Sequence, residues 1–265
     1  ASDVYKRQSQ EYNRYSTESF LKYDLIDDSM TSIDAGTTNG NIGGNYTEWA
    51  MHSYFGRLNL AYDDRYLLEA NIRADRSSKF APHHRTGWFP SVSAGWRISQ
   101  ERFMDASRGW LDQLKLRASY GSLGNNATTS YYMYQSLFAT ANYVLGGNVA
   151  GGLAQTVLAN PNLTWEKTYM TNIGLDFAFL NSRLSGSVDI YNKDTRGILI
   201  SLPAPLEHGT STVPDQNAGE VNNKGFELDL HWADRIGKVS YDIGCNLGFV
   251  NNKVTKFQGD VSSIN

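Results

Sequence analysis

The chain alternates between apolar and polar positions over most of its length. From Ser53 to Tyr62, Tyr54, Leu58, Leu60 and Tyr62 stand on one side, with Arg57 and Asn59 on the other. Asp63-Asp64-Arg65 reads as a tight turn. From Tyr66 to Arg76, Leu68, Ala70, Ile72 and Ala74 oppose Glu69, Asn71, Arg73 and Asp75. The pattern recurs over Trp88–Ser99, Leu111–Gly121 and Glu166–Phe179. It recurs again over Leu184–Lys193, Phe226–Trp232 and Val239–Phe249. A period of two is the signature of strands with unlike faces. The reading is about eight strands of roughly ten residues, the length a tilted strand needs to cross a bilayer.

The two faces demand different surroundings. Placing Glu69, Arg73 and Asp75 in hydrocarbon is prohibitive, since one arginine at the midplane costs roughly 2–4 kcal/mol. The charged face therefore meets water and the register is strongly specified. Alternation alone does not separate a membrane barrel from a soluble sheet with one wet face. The connections discriminate better. Asp63–Arg65, Leu180–Ser182, Ala233–Gly237 and the slightly longer Gln100–Trp110 are short, whereas Ser77–Gly87, Ser122–Trp165 and Asp194–Asn223 are long. They take turns along the chain, as an up-and-down barrel with short periplasmic turns and long outer loops requires. A Greek-key sandwich has no reason to produce that asymmetry. Aromatic residues near strand ends (Tyr62, Tyr66, Trp88, Phe89, Trp165, Tyr169, Phe177, Phe179, Trp232, Phe249) fit girdles at the two membrane interfaces.

Composition narrows the classes further. The 265 residues are 40% hydrophobic and 12% aromatic, with 16 Tyr, 6 Trp, 24 Gly and 6 Pro, which suits strands joined by turns. A net charge of −3 leaves no basic footprint for nucleic acid. The single cysteine, Cys245, allows neither an internal disulfide nor a thiolate metal cluster, and it falls on the apolar side of its strand. No apolar run approaches the roughly 20 residues of a membrane-spanning helix. The first eight residues lack the apolar core of a signal peptide and read as a scar on a chain that starts within a gene.

Several stretches resemble the SusC/RagA family of TonB-linked outer-membrane proteins. They are Arg73–Phe80, Gly87–Ile98, Leu114–Asn125, Asn160–Thr168, Gly174–Lys193 and Asn217–Leu228, in the family's order and spacing. The resemblance covers about Ser53 to Lys253. It implies a 22-stranded plugged barrel, a size known for outer-membrane transporters. It also implies an N-terminal plug and a TonB-contacting segment, neither of which is recognisable here. The chain thus reads as a fragment cut at both ends. The expected fold is an all-β, antiparallel, up-and-down transmembrane segment that stays open, with two unpaired edges. The family implies a SusD-like surface lipoprotein as partner, TonB as energy coupler, oligosaccharide or peptide as cargo, and outer-membrane lipid as surroundings. It implies no cofactor and no catalysis.

Candidate contacts follow from these expectations. Tyr131, Tyr132, Tyr134 and Trp165 lie in or beside the longest loop and are candidates to stack on a glycan or meet the lipoprotein, with loop packing as the alternative. Arg73, Arg97, Arg117 and Asp176 are expected to line the polar lumen. Asp176, Asp189, Glu227 and Asp229 fall on the same polar side, where acids are expected without any glycosidase role. His83-His84 is a poor metal pair, because neighbours in an extended segment point apart. Gly146-Gly147, Gly151-Gly152, Asn160-Pro161 and Pro203-Ala204-Pro205 read as loop punctuation. The rival readings are a soluble or surface β-rich glycan-binding module, in which loops at both ends have similar length, and a β-rich hydrolase, which needs two carboxylates converging in a cleft.

Overall fold

The computed structural model describes residues 2–27, 29–30, 32–128, 130–203 and 213–258. Ala204 and Pro205, read above as loop punctuation, lie outside the described residues.

Eleven strands are described: β1 (Ser2–Leu25), β2 (Gly36–Tyr62), β3 (Tyr66–Ser77), β4 (Thr86–Arg97), β5 (Leu111–Asn125), β6 (Leu137–Leu145), β7 (Asn148–Val157), β8 (Glu166–Phe179), β9 (Leu184–Ile200), β10 (Gln216–Ile236) and β11 (Val239–Phe257). Nine of them form one antiparallel sheet in the order β1-β2-β3-β4-β5-β8-β9-β10-β11, and β6 and β7 pair only with each other. Each strand of the main sheet lies beside its predecessor, the meander an up-and-down wall needs. β1 and β11 are the two open edges, so the sheet does not close.

The register unites the apolar sides of separate strands into one belt. Ile173 of β8 stands between Ala118 of β5 and Ile190 of β9, and Ile190 stands opposite Phe226 of β10. Phe226 in turn faces Phe249 of β11. On the other side, Leu60 faces Leu68, which faces Ala94. These side chains are bare: Ile173 is 55% exposed, Ile190 60% and Phe249 67%. Among the described residues neither a second sheet nor a helix layer covers them, and soluble monomers rarely expose apolar patches beyond a few hundred Å². No helix among the described residues is long and apolar enough to cross a membrane, so the strands carry the belt.

The short connections gather at one end and are built as tight turns. Asp63 and Asp64 have φ of 52° and 49°, a left-handed pair at the head of the three-residue turn between Tyr62 and Tyr66. Leu180, Asn181 and Ser182 are also left-handed, and Gly237 turns the last hairpin at φ 62°. The longer link between β4 and β5 is two 3-10 segments, Ile98–Gln100 and Arg102–Ser107. It begins after Arg97, where the sequence pattern had extended the strand to Ser99.

Aromatic rings mark that end. Tyr62 and Tyr66 lie 6.3 Å apart, Tyr66 stacks on Trp96 at 6.5 Å, and Trp110 stacks on Phe179 at 5.8 Å. Glu101 from the 3-10 link reaches back among them. Its carboxylate accepts from Tyr66 Oη (2.6 Å), Trp96 Nε1 (3.0 Å) and Arg65 Nη1 (3.0 Å). Those donors hold the Glu101 carboxyl below its ordinary range, the tyrosine and tryptophan contributing most.

At the other end the strands run well beyond what a bilayer needs. β2 has 27 residues and β10 has 21, where about 9–11 suffice to cross. Alternation is lost there because both faces meet water. This is why the second half of β1 and the first half of β2 escape the pattern. The first eight residues, read as a scar, pair in register from Ser2 against Leu60 to Gln8 against Tyr54. They do not continue the belt, since Lys6 and Gln8 stand on its side. The β6–β7 hairpin likewise sits inside what read as one long loop. Gly146 and Gly147 form its turn, at φ 59° and 82°, but Gly151 and Gly152 lie within β7. A Cβ at Gly152 would sit 2.5 Å from the Tyr143 ring across the hairpin.

Candidate functional site

Two places on the sheet concentrate chemistry. One is a charged track on the polar face. The other is a knot of loops at the long-loop end.

The track is set by register. Arg73, Arg97, Arg117 and Asp176 all fall on the polar side of their strands. Arg117 of β5 is the hub. Its Nε lies 2.9 Å from both Asp176 oxygens, and its Nη2 donates to Asp189 Oδ2 at 2.9 Å. Asp189 belongs to β9, so the guanidinium spans β8 to reach it. Gly174 of β8 makes the crossing possible: a Cβ there would lie 2.4 Å from Asp189 Oδ1 and 2.7 Å from Arg117 Nη2. Two carboxylates share one guanidinium, and Glu227 stands next in register to Asp189. Asp189 Oδ1 is buried without a hydrogen-bond partner. Asp229 is drawn to His231, with Nε2–Oδ1 at 3.0 Å. Towards the long-loop end, Arg73 Nε donates to buried Asp75 at 2.7 Å. At the short-turn end, Arg97 Nη1 donates to the Asp64 carbonyl at 3.3 Å, so this arginine braces a turn.

The knot contains all four aromatic candidates. Trp165 is 5% exposed, which matches the loop-packing alternative rather than a free stacking face. Phe80, 5.3 Å away, and Phe89, edge-on at 5.5 Å, occupy its ring faces, and Leu163 and Met133 complete the cluster. Its indole Nε1 donates to the Arg85 carbonyl at 3.1 Å. Phe89, read as part of an interfacial girdle, is buried in the same cluster. The neighbouring segment is stitched down by Asn217, whose side chain bonds Thr164 N, Thr164 O and Gly197 O at 2.8–3.0 Å.

The three tyrosines are half-buried and tethered. Tyr132 adopts a left-handed φ of 60°, a conformation costing about 1–2 kcal/mol, and its hydroxyl donates to Glu48 O at 2.7 Å. Tyr134 Oη accepts from Arg85 Nη2 at 3.3 Å. Tyr131 and Trp49 sandwich the Lys79 ammonium at 5.0 and 4.9 Å. Burial there lowers the Lys79 pKa, opposed by Glu11. The residues sequence reading missed are therefore the braces: Lys79, Arg85 and Asn217. All lie within or beside stretches whose family resemblance is plain, but their partners are remote in sequence.

His83 and His84 do not point apart. Their rings lie 4.4 Å from each other because the segment is a turn and not an extended strand. Among the described residues no three His, Cys, Asp or Glu side chains gather as a metal site.

Residues 3–263 match the family described as TonB dependent receptor-like, beta-barrel. The chain belongs to this TonB-dependent receptor family. The receptor segment is 34% identical over 217 residues to the TonB-dependent receptor SusC of Bacteroides thetaiotaomicron, a match covering 80% of this chain and 22% of that protein. It is 38% identical over 215 residues to a TonB-dependent receptor of Formosa agariphila, covering 81% of this chain and 21% of the relative. Its fold superposes on the RagAB peptide importer in the closed-closed state with a TM-score of 0.81 at 28% identity, over 98% of this chain and 29% of that one. It is thus a barrel fragment of a SusC-like receptor of the outer membrane, spanning about a fifth of the curated relatives' length. The apolar belt is its membrane surface, the short turns mark its periplasmic end and the long loops its outer end.

Proposed function

We propose that this segment forms wall and outer mouth of an importer that takes up oligosaccharide, with peptide as the second cargo class. In this reading a SusD-like lipoprotein sits on the long loops and TonB energises uptake from the periplasm. The polar face then lines the lumen, with Arg73, Arg117 and Asp176 along the cargo's route and Arg97 at its periplasmic exit. Binding and transport are the whole of the activity, with no bond-making step.

The observation that carries the reading is the sequence likeness to SusC across most of the segment. A second feature supports the choice of cargo. From Ala118 to Trp165 there is no Asp, Glu, Lys, Arg or His, so the longest outer segment is neutral. A long outer segment that is neutral and tyrosine-bearing suits an uncharged glycan better than a charged peptide. Tyr131, Tyr132 and Tyr134 remain the proposed contacts, whereas Trp165 acts by holding the loops that carry them. Calorimetric titration of the full-length receptor with its lipoprotein tests this. Saturable binding of neutral oligosaccharides supports the reading, and saturable binding of peptides alone overturns the glycan assignment.

A further inference from the structure

The membrane-facing belt carries a groove of about 1050 Å³ across β2, β3 and β4. Small residues, including Gly56, Ala70 and Ala74, form its floor. Tyr54, Trp88 and Tyr120 stand around it. The groove runs up β2 from Leu58 to His52. Six steps of about 3.3 Å each give roughly 20 Å along the strand. At a tilt of about 45° that is roughly 14 Å of depth, one leaflet of a core about 30 Å thick.

The outer end of the groove carries an arginine beside an imidazole. His52 and Arg76 are direct partners across β2 and β3, both on the membrane-facing side. The His52 ring leans on Tyr54 at 4.5 Å, and Arg76 is exposed. Neither makes an ion pair among the described residues. The next carboxylate outward on that side of β2, Glu48, accepts from the Tyr12 hydroxyl at 2.7 Å. Lys6, opposite Gly56, lines the same groove, and an anion seated at Arg76 would balance a charge that has no ion-pair partner among the described residues. An arginine fork matches phosphate in two hydrogen bonds.

We propose that this groove is a lipid site: it seats an acyl chain of a phosphate-bearing outer-leaflet lipid, with the headgroup phosphate held between His52 and Arg76. The length, the apolar lining and the charge at one end correspond to one lipid molecule in its natural orientation.

The experiment uses the full-length receptor, extracted from outer membranes in mild detergent and washed until loosely held lipid is gone. Native mass spectrometry and phosphorus assay then count bound lipid. The wild type is expected to retain a phosphate-bearing lipid. His52→Ala/Arg76→Ala should retain several-fold less, as should Ala74→Trp, which fills the groove and leaves both polar side chains in place. Heat-modifiable migration on gels reports whether each barrel is folded, and Arg76→Gln serves where the double variant is not. Equal lipid in wild type and folded variants overturns the proposal and reduces the lipid to the ordinary annulus. Displacement of the lipid by millimolar inorganic phosphate overturns it in favour of a free-anion site. A lipid-free dimer that the Ala74→Trp change dissociates overturns it in favour of a second copy.

Discussion

Arg117 on β5 reaches Asp189 on β9 across the notch left by Gly174 on β8, at 2.9 Å. One side chain thereby ties three consecutive strands together on the polar face. Gly174→Ala should break this tie although it adds a single methyl, because the new carbon would overlap Asp189 Oδ1. Arg117→Ala leaves two carboxylates side by side, one of them largely buried. Removing a charged partner in this way costs about 1–3 kcal/mol. Arg117→Lys should rescue poorly, since an ammonium lacks the fork that serves Asp176 and Asp189 at once. The urea midpoint of the folded full-length receptor, read by heat-modifiable migration, ranks the variants. Equal midpoints for Gly174→Ala and wild type would show that the crossing contributes nothing.

Trp165→Ala should loosen the outer loops while leaving the wall intact. The change opens a cavity among Phe80, Phe89 and Leu163 and leaves the Arg85 carbonyl without its donor. Large-to-alanine changes in such clusters cost about 3–5 kcal/mol. The expected signature is faster proteolysis between Ser122 and Trp165, with unchanged migration of the barrel. Tyr131→Ala, which removes one face of the Lys79 sandwich, should show much less of this and more loss of cargo binding. Identical protease resistance for Trp165→Ala and wild type would refute the packing role.

The wall was legible and the mouth was not, for one physical reason. Where hydrocarbon wets one side, as at Ile173 and Ile190, chemistry forces strict alternation and the strand declares itself. Above the membrane nothing imposes it: Tyr15 and Thr47 pair as firmly as Leu60 and Leu68, yet leave no periodic trace. The β6–β7 hairpin was hidden for the same reason, with Phe138 and Leu153 apolar on one face and Tyr143 and Leu145 on the other. For Trp165, stacking and loop packing stayed open in the sequence because its packing partners, Phe80 and Phe89, are distant along the chain. Arg117 and Asp176 could be assigned to a face from parity alone. Their shared bond with Asp189 required the register of three strands.

Glu101 makes the periplasmic girdle sensitive to acid. Its folded-state carboxyl sits below the ordinary range, held there by donors from Tyr66, Trp96 and Arg65. A lowered folded pKa means that the unfolded chain binds the proton more tightly. The stabilisation is therefore complete above the unfolded value of about 4.3 and is lost as pH falls through the folded one. Glu101→Gln should lower the unfolding midpoint at neutral pH, and its difference from wild type should shrink as pH drops below about 4. A difference that stays constant across that range would show that the charge is irrelevant.

Ile173 provides the sharpest test of which face meets lipid. It lies mid-belt, flanked by Ala118 and Ile190, and the belt's apolar partners continue on both sides. Ile173→Arg would put a guanidinium where no carboxylate is near and hydrocarbon surrounds it, at a cost of roughly 2–4 kcal/mol. Ser93→Arg adds the same group on the opposite face, among Glu69, Asn71 and Ser119, where water and a carboxylate are at hand. The first variant should insert poorly into outer-membrane lipid bilayers and unfold at lower urea. The second should insert like wild type. Measuring both in the same vesicles cancels effects of bulk and helix-free backbone, so only the surroundings of the charge differ. If Ser93→Arg were the damaging change and Ile173→Arg the tolerated one, the two faces would have to be exchanged, and with them the assignment of the charged track to the lumen.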